Sequence, residues 1–423
     1  MSIESLKFLS SEQVLSLASE FGTPCFVYDQ STLIEKAKQV LAFPNAFGLT
    51  ARYAMKACPN IAVVKTLTNQ GLHIDASSEF EVYRALKAGI SGDKIQLTAQ
   101  EHPADFSIII DNNVFYNACS IEQIKQYGKA NPGGEISIRV NPGMGSGSTN
   151  RTNVGGPASS FGIWYEQLDE AIATAKEHQL KITKMHTHIG SGSDPEVWKK
   201  VALMSLETVS KIDSIHTLNL GGGYKVARMQ EEVATDLQIC GEPVKEEFEK
   251  FAEETGRQLH LEIEPGTYLV ANSGAILTTV VDKINTGKAG YNFLKIDCGM
   301  TEVTRPSLYG AQQPIISISK VENRNTEEYI IAGHCCESGD ILTPAPGDPE
   351  KLQPRELSTT DKGDFLVIEG SGAYCAGMST KNYNSFPEAA EILIDAKNKE
   401  AHLVRKRQTL DQIIQNEILP EFI

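Results

Sequence analysis

The chain has little that would bind a polyanion, cross a membrane or hold itself together covalently. Basic residues are the minority, 39 against 54 acidic ones, for a formal charge of -15 over 423 residues. Long-range electrostatics therefore oppose nucleic acid as a partner, although a small anion or zwitterion can still find a local positive site. The eight cysteines, from Cys25 to Cys375, include no C-x-x-C pair and no compact spacing, which excludes zinc-finger and disulfide frameworks and points to a reducing compartment. No stretch approaches the ~18 continuous apolar residues of a spanning helix. The opening Met1-Ser2-Ile3-Glu4-Ser5-Leu6-Lys7 lacks the basic-then-apolar order of a secretory signal, so a cytoplasmic location without membrane contact is expected.

What remains is ordinary globular material, 41% hydrophobic and 22% charged, long enough for more than one domain. An amphipathic helix is expected near Ser11 to Glu20, then a strand at Cys25 to Tyr28 and a helix from Ser31 to Leu41. Eight strand-like runs follow: Ala51 to Lys56, Gly71 to Asp75, Lys94 to Thr98, Val114 to Asn117, Glu135 to Val140, Ile182 to His188, Thr217 to Leu220 and His260 to Ile263. Helical patterns lie between them, such as Ser78 to Ala88, Tyr165 to His178 and Val244 to Thr255. Eight repeated βα units favour a TIM-like (β/α)8 barrel of the α/β class over an open sheet. After about Ala275 β-branched runs lose their intervening helices, which predicts a second, mainly antiparallel β domain. The expected division is 33–275 for the barrel and 1–32 plus 276–423 for the β domain.

Chemistry-bearing residues fall at the ends of the predicted strands, where a barrel gathers them at one mouth. Lys56 follows apolar and aromatic neighbours, a setting that can free an amine for reaction with an aldehyde, though a salt-bridged lysine fits the same position. Gly221-Gly222-Gly223 follows a strand and would let backbone N–H groups approach one phosphate; a plain turn is the alternative. Glu262 and Glu264 share a strand face before a Pro-Gly turn, and a carboxylate at Glu264 could hold a pyridine nitrogen protonated or simply pair with a basic neighbour. His186 and His188, two apart on a predicted strand, admit two readings: a metal pair completed by Asp75, as in hydrolase barrels, or an imidazole stacked on a cofactor ring.

Six motifs in chain order sharpen these alternatives: Tyr53-Ala54-Met55-Lys56-Ala57, His188-Ile189-Gly190-Ser191, Gly221-Gly222-Gly223, Glu264-Pro265-Gly266, Cys336-Glu337-Ser338-Gly339-Asp340 and Gly372-Ala373-Tyr374. Together they resemble the fold type III pyridoxal-phosphate decarboxylases, of alanine racemase-like fold, and among these the diaminopimelate decarboxylases. The resemblance implies a carboxy-lyase that converts meso-2,6-diaminopimelate to L-lysine and CO2, with pyridoxal 5'-phosphate as cofactor and no metal. It implies that Lys56 carries the cofactor, His188 stacks on its ring with support from Arg139, and Glu264 meets the pyridine nitrogen. Ser191, Gly222, Gly223 and Tyr374 would hold the phosphate. Cys336 and Glu337 would reach into the site of a partner subunit in a homodimer, with Cys336 catalytic.

Thr304-Arg305-Pro306-Ser307-Leu308-Tyr309 is similar to the family segment whose Arg and Tyr bind the substrate's distal carboxylate, here Arg305 and Tyr309, alongside Glu337 and Tyr374. A guanidinium suits a carboxylate, whereas a distal amine would call for an acid. Three positions depart from the family pattern: Thr267 and Phe386 stand where arginine is usual, and Ser160 where lysine is. Those lost charges leave open a shifted substrate, another amino acid or a carrier-linked glutamyl group.

Overall fold

The computed structural model describes residues 4–145, 155–188, 192–319 and 325–423. The chain divides into two compact units. One comprises Ile34–Val226 and Val233–Leu269, the other Met1–Leu33, Ala227–Glu232 and Val270–Ile423.

Strand β1 (Cys25–Asp29) belongs to the second unit. The first unit is built on β2 (Leu49–Ala54), β3 (His73–Ala76), β4 (Ile95–Thr98), β5 (Phe115–Ala118), β6 (Glu135–Asn141), β7 (Ile163–Trp164), β8 (Lys181–His186), β9 (Thr217–Asn219) and β10 (His260–Ile263). All pairings among them are parallel, and because β10 pairs with β2 and β5 with β6, eight strands close into a barrel. The two-residue β7 sits outside the ring, paired only to β6. Helices alternate with the strands because the sequence caps them. Ser78 and Ser120 accept from the backbone N–H of Glu81 and Gln123, three residues on, at the starts of Glu79–Lys87 and Ile121–Ala130.

Period-2 alternation sends one side chain in two to the barrel axis, and here the inward set is polar. Arg52, Asp75, Gln96, Asn117, Ser137, Arg139, His186, Asn219 and Glu262 are all buried. Near the axis Arg52 grips Glu262 with two bonds, Nε to Oε2 and Nη2 to Oε1, both 2.9 Å, and Lys184 Nζ reaches Oε1 at 3.0 Å. Burial opposes ionisation of Glu262, but the two cations outweigh it and hold the carboxyl down at about 2.

The second unit adds β11 (Gly274–Asn285), β12 (Asn292–Ile296), β13 (Ile315–Ile318), β14 (Thr326–Ala332), β15 (Pro344–Ala345), β16 (Asp348–Leu352), β17 (Arg355–Ser358), β18 (Phe365–Ile368), β19 (Ala390–Ile394) and β20 (Ala401–Arg405). Its sheet pairings are antiparallel except β1 with β19 and β12 with β14. The apolar core of this unit gathers Val14 and Leu17 of the helix Ser11–Phe21, Val27, Leu277, Val367 and Ile392. The six-residue segment Ala227–Glu232 is fastened within this unit. Lys7 Nζ donates to Arg228 O at 2.8 Å, Asn272 Nδ2 to Ala227 O at 2.9 Å, and Gln230 N to Glu4 Oε1 at 3.2 Å.

Candidate active site

In the barrel unit, β2 stops at Ala54, and Lys56 sits in the single 3-10 turn Met55–Ala57 rather than in the strand expected for it. The turn forms because Ala54 N donates to Pro265 O at 3.2 Å, drawing the strand end toward the Glu264-Pro265-Gly266 corner. The Lys56 side chain is half-exposed, with Nζ 4.0 Å from Asp75 Oδ2 and donating to Ser77 Oγ at 3.4 Å. Asp75, at the end of β3, is buried and leaves Oδ1 without a hydrogen-bond partner among the described residues. Burial pushes its carboxyl up, against the pull of Lys56.

Glu264 follows β10 directly. Asn219 Nδ2 donates to its Oε1 at 2.6 Å and Gln96 Nε2 to the same oxygen at 3.0 Å. Burial, reinforced by the Asp75 charge, raises the Glu264 carboxyl to about 8. Burial therefore favours its protonated form.

Strand β8 ends at His186, so His188 lies two residues beyond it, a correction to the expectation that both share one strand. The rings are nonetheless stacked, 6.4 Å apart at 17°. Asn117 lies 2.8 Å from His186 Nδ1, and Nε2 of that ring lies 3.3 Å from Glu264 Oε2 without forming an aligned hydrogen bond. Burial, with the Arg139 charge second, drives both imidazoles well below their ordinary range. Arg139 itself lies in β6 beside His186, its guanidinium 4.7 Å from the Phe161 ring centre. His186 is held by Asn117 through Nδ1, and among the described residues no three His, Cys, Asp or Glu side chains are grouped to hold an ion.

The glycine run follows β9. A Cβ on Gly222 would stand 2.2 Å from the Glu264 carbonyl oxygen, and one on Gly221 2.7 Å from His188 Cγ; Gly221 and Gly223 also have φ of +72 and +109. Glycine is the residue that fits, and while the Gly221 N–H donates to Asn219 Oδ1 at 2.8 Å, the run keeps its backbone clear of side chains. Ser191 lies outside the described residues.

The second unit carries the rest of the expected set. Arg305 and Tyr309 are the two ends of the short helix Arg305–Tyr309. The Arg305 guanidinium lies 5.6 Å from the Tyr309 ring centre and 5.9 Å from that of Tyr374. Tyr374 is held in the left-handed region (φ 55), where bulky residues are rare outside functional sites. Cys336 is the one exposed cysteine, its N–H donating to Asn384 Oδ1 at 2.8 Å, and Glu337 beside it is also exposed. Phe386 stacks on His334 at 3.6 Å, which gives the unusual residue a packing role in place of a charge. Ser160 accepts from Gln100 Nε2 at 3.0 Å.

The family description "Pyridoxal-dependent decarboxylase, pyridoxal binding domain" matches residues 30–271. The chain belongs to the pyridoxal-dependent decarboxylases. It is 34% identical to the diaminopimelate decarboxylase of Escherichia coli strain K12, covering 97% of each chain. A solved diaminopimelate decarboxylase superposes with a TM-score of 0.90 at 34% identity, again over 97% of both chains. The Helicobacter pylori enzyme, solved with L-lysine, gives 0.82 at 26% identity over 95% of this chain and 98% of that one. The family's cofactor is pyridoxal phosphate, and the barrel suits it. An amine, a buried carboxyl that burial pushes towards its protonated form, a glycine backbone run and two buried atoms without a partner among the described residues, Asp75 Oδ1 and His188 Nδ1, belong to one end of the same barrel.

Asn219, Gln96 and Asn117, which hold Glu264 and His186, were not singled out from the sequence. Their signal was there: a polar residue at the inward position of an otherwise apolar strand, as in Leu218-Asn219-Leu220.

Proposed function

We infer that this chain is a carboxy-lyase acting on meso-2,6-diaminopimelate, releasing CO2 and L-lysine with pyridoxal 5'-phosphate as cofactor. The observation that carries this is the gathering of Lys56 with Asp75, and of the buried Glu264 and His188 against the glycine run, at the strand ends of one barrel. The cofactor supplies an electron sink for the pair left behind by departing CO2. Lys56 would hold it by its amine, and Glu264 would hold a proton at the pyridine nitrogen. Glycines 222 and 223, Ser191 and Tyr374 would take the phosphate, and His188 would lie against the ring, its imidazole kept neutral by burial first and by the Arg139 charge second.

Arg305 and Tyr309 would take the substrate's distal carboxylate, with Glu337 and Tyr374 also lining the substrate's place. Cys336, exposed and close to Glu337, would return a proton to the reacting carbon, with Lys56 as the other donor, and would do so in the site of a second copy, making a homodimer the working unit. Seven of the eight cysteines are buried as free thiols, which suits a cytoplasmic enzyme. No helix among the described residues is long and apolar enough to cross a membrane. CO2 release measured across meso-diaminopimelate, lysine, ornithine and arginine tests the reading. Diaminopimelate should turn over fastest; preference for lysine or ornithine would overturn it.

A further inference from the structure

Thr267 stands where the family pattern usually has arginine, and the second unit carries a further arginine, Arg228, that the motifs do not include. Arg228 lies in the segment Ala227–Glu232, five residues after the glycine run but grouped with the β unit. Its backbone is fixed from both sides. Lys7 Nζ donates to its carbonyl oxygen at 2.8 Å, and its own N–H donates to Glu232 Oε2 at 2.7 Å. Its side chain is aimed by Gly370, whose carbonyl oxygen accepts from Arg228 Nε at 3.1 Å. A Cβ on Gly370 would sit 3.0 Å from Arg228 Cδ and Cγ, and that residue has φ +67, so glycine there leaves the guanidinium its path.

Nothing answers the charge. Arg228 Nη2 and Arg305 Nε are both shielded from solvent and lack a hydrogen-bond partner among the described residues, and neither guanidinium forms an ion pair with a described carboxylate. Burial, with the Arg305 charge second, brings Arg228 down to about 10, and both guanidinia act on the buried Cys375 thiol. Two like charges in one unit, each with a donor that has no partner among the described residues, are an unfavourable arrangement for a chain alone. They become favourable when an anion takes both donors, because charge-assisted bonds to a carboxylate are among the strongest available.

We propose that Arg228 and Arg305 form a paired-guanidinium site for the substrate's distal carboxylate, Arg228 supplying the second cation that Thr267 does not. The inference rests on the reading above and makes Arg228 a specificity residue of this chain. A lone anion could also be the cofactor's phosphate, and the test separates the two sources.

Titration calorimetry of the holoenzyme with L-lysine, which keeps that carboxylate, and with 1,5-diaminopentane, which lacks it, reads the site without turnover. Arg228→Gln should weaken L-lysine at least tenfold and leave the diamine within twofold, with pyridoxal phosphate affinity unchanged. Arg228→Lys should fall between, since it keeps a charge but loses the fork, and it serves if the glutamine variant does not fold. An unchanged ratio of lysine to diamine affinity in both variants would overturn the proposal, as would a loss of cofactor affinity with that ratio intact, which would assign the guanidinium to phosphate. Turnover of meso-diaminopimelate by the unaltered protein is measured alongside; its absence would overturn the substrate reading, while the binding ratio still decides the role of Arg228.

Discussion

His186 Nε2 lies 3.3 Å from Glu264 Oε2, yet the contact joins two groups that are largely uncharged at neutral pH. The imidazole is kept neutral by burial and by Arg139, the carboxyl by burial and by Asp75. The barrel thus stores a proton on Glu264 where a partner nitrogen can use it.

That proton has a thermodynamic signature. The Glu264 carboxyl titrates at about 8 in the folded chain and at about 4.3 unfolded, so between those values the folded protein binds the extra proton. Stability therefore falls as pH rises through that window and is level on either side. Cofactor-free protein should lose on the order of a few kcal/mol between pH 5 and 8 in urea unfolding, while Glu264→Gln loses much less. Parallel pH profiles for the two proteins would refute the assignment.

The opposite sign holds at Glu262. Arg52 and Lys184 keep its carboxyl down at about 2, so its contribution is full above the unfolded value of about 4.3 and is lost as pH falls toward 2. Glu262→Gln leaves two buried cations facing a neutral amide and should cost about 3–5 kcal/mol in denaturant unfolding at pH 7. A change under 1 kcal/mol, on the order of an exposed pair, would mean that water reaches this ion pair.

Borohydride reduction of the purified protein followed by peptide mapping should fix the cofactor to Lys56. Recovery of the label on any other lysine would move the site.

Cys336 provides a genetic test of the shared site. Lys56→Ala and Cys336→Ala chains should each be inactive, and mixing them should restore part of the activity, because one hybrid site then holds both residues. Dead hybrids from parents that still dimerise would confine Cys336 to its own chain.

Arg305→Ala should raise KM for diaminopimelate by roughly ten- to a hundredfold, the worth of a charge-assisted bond of about 1.5–3 kcal/mol, with kcat less affected. Its Nε has no partner among the described residues, so folding should survive, which a thermal melt would check. Thr267→Arg should be tolerated, with KM unchanged or lower. A fall in kcat equal to the rise in KM for Arg305→Ala would move Arg305 from binding to chemistry.

The barrel was legible in the sequence because βα alternation is a local signal, and strands such as His260–Ile263 and Phe365–Ile368 fell where the residues placed them. The ends of β2 and β8 were less legible: the backbone leaves β2 for a 3-10 turn at Lys56, and β8 stops at His186, two residues before His188. The helix Leu237–Thr255 begins seven residues before its expected start. Gly241 and Pro243 read as breakers, but Gly241 lies where a Cβ would meet Pro44, so close packing selects it. Strands β17, β19 and β20 went unseen because each is only four or five residues long; β19 also pairs with the distant β1, whereas β20 pairs with its neighbour β19. Lys56, Glu264 and the glycines were legible from motif order; Arg228 was not, because no periodicity marks a lone arginine that answers to a distant Gly370 and Lys7.

The excursion of residues 227–232 means that the chain passes between its two units four times. A chimera joined near residue 270 would inherit Arg228 from one parent and Arg305 from the other. Exchanging C-terminal halves among relatives would therefore break a guanidinium pair that no single crossover near that joint can keep whole. Substrate preference in such hybrids should follow which arginines happen to meet, not which parent contributed the larger share.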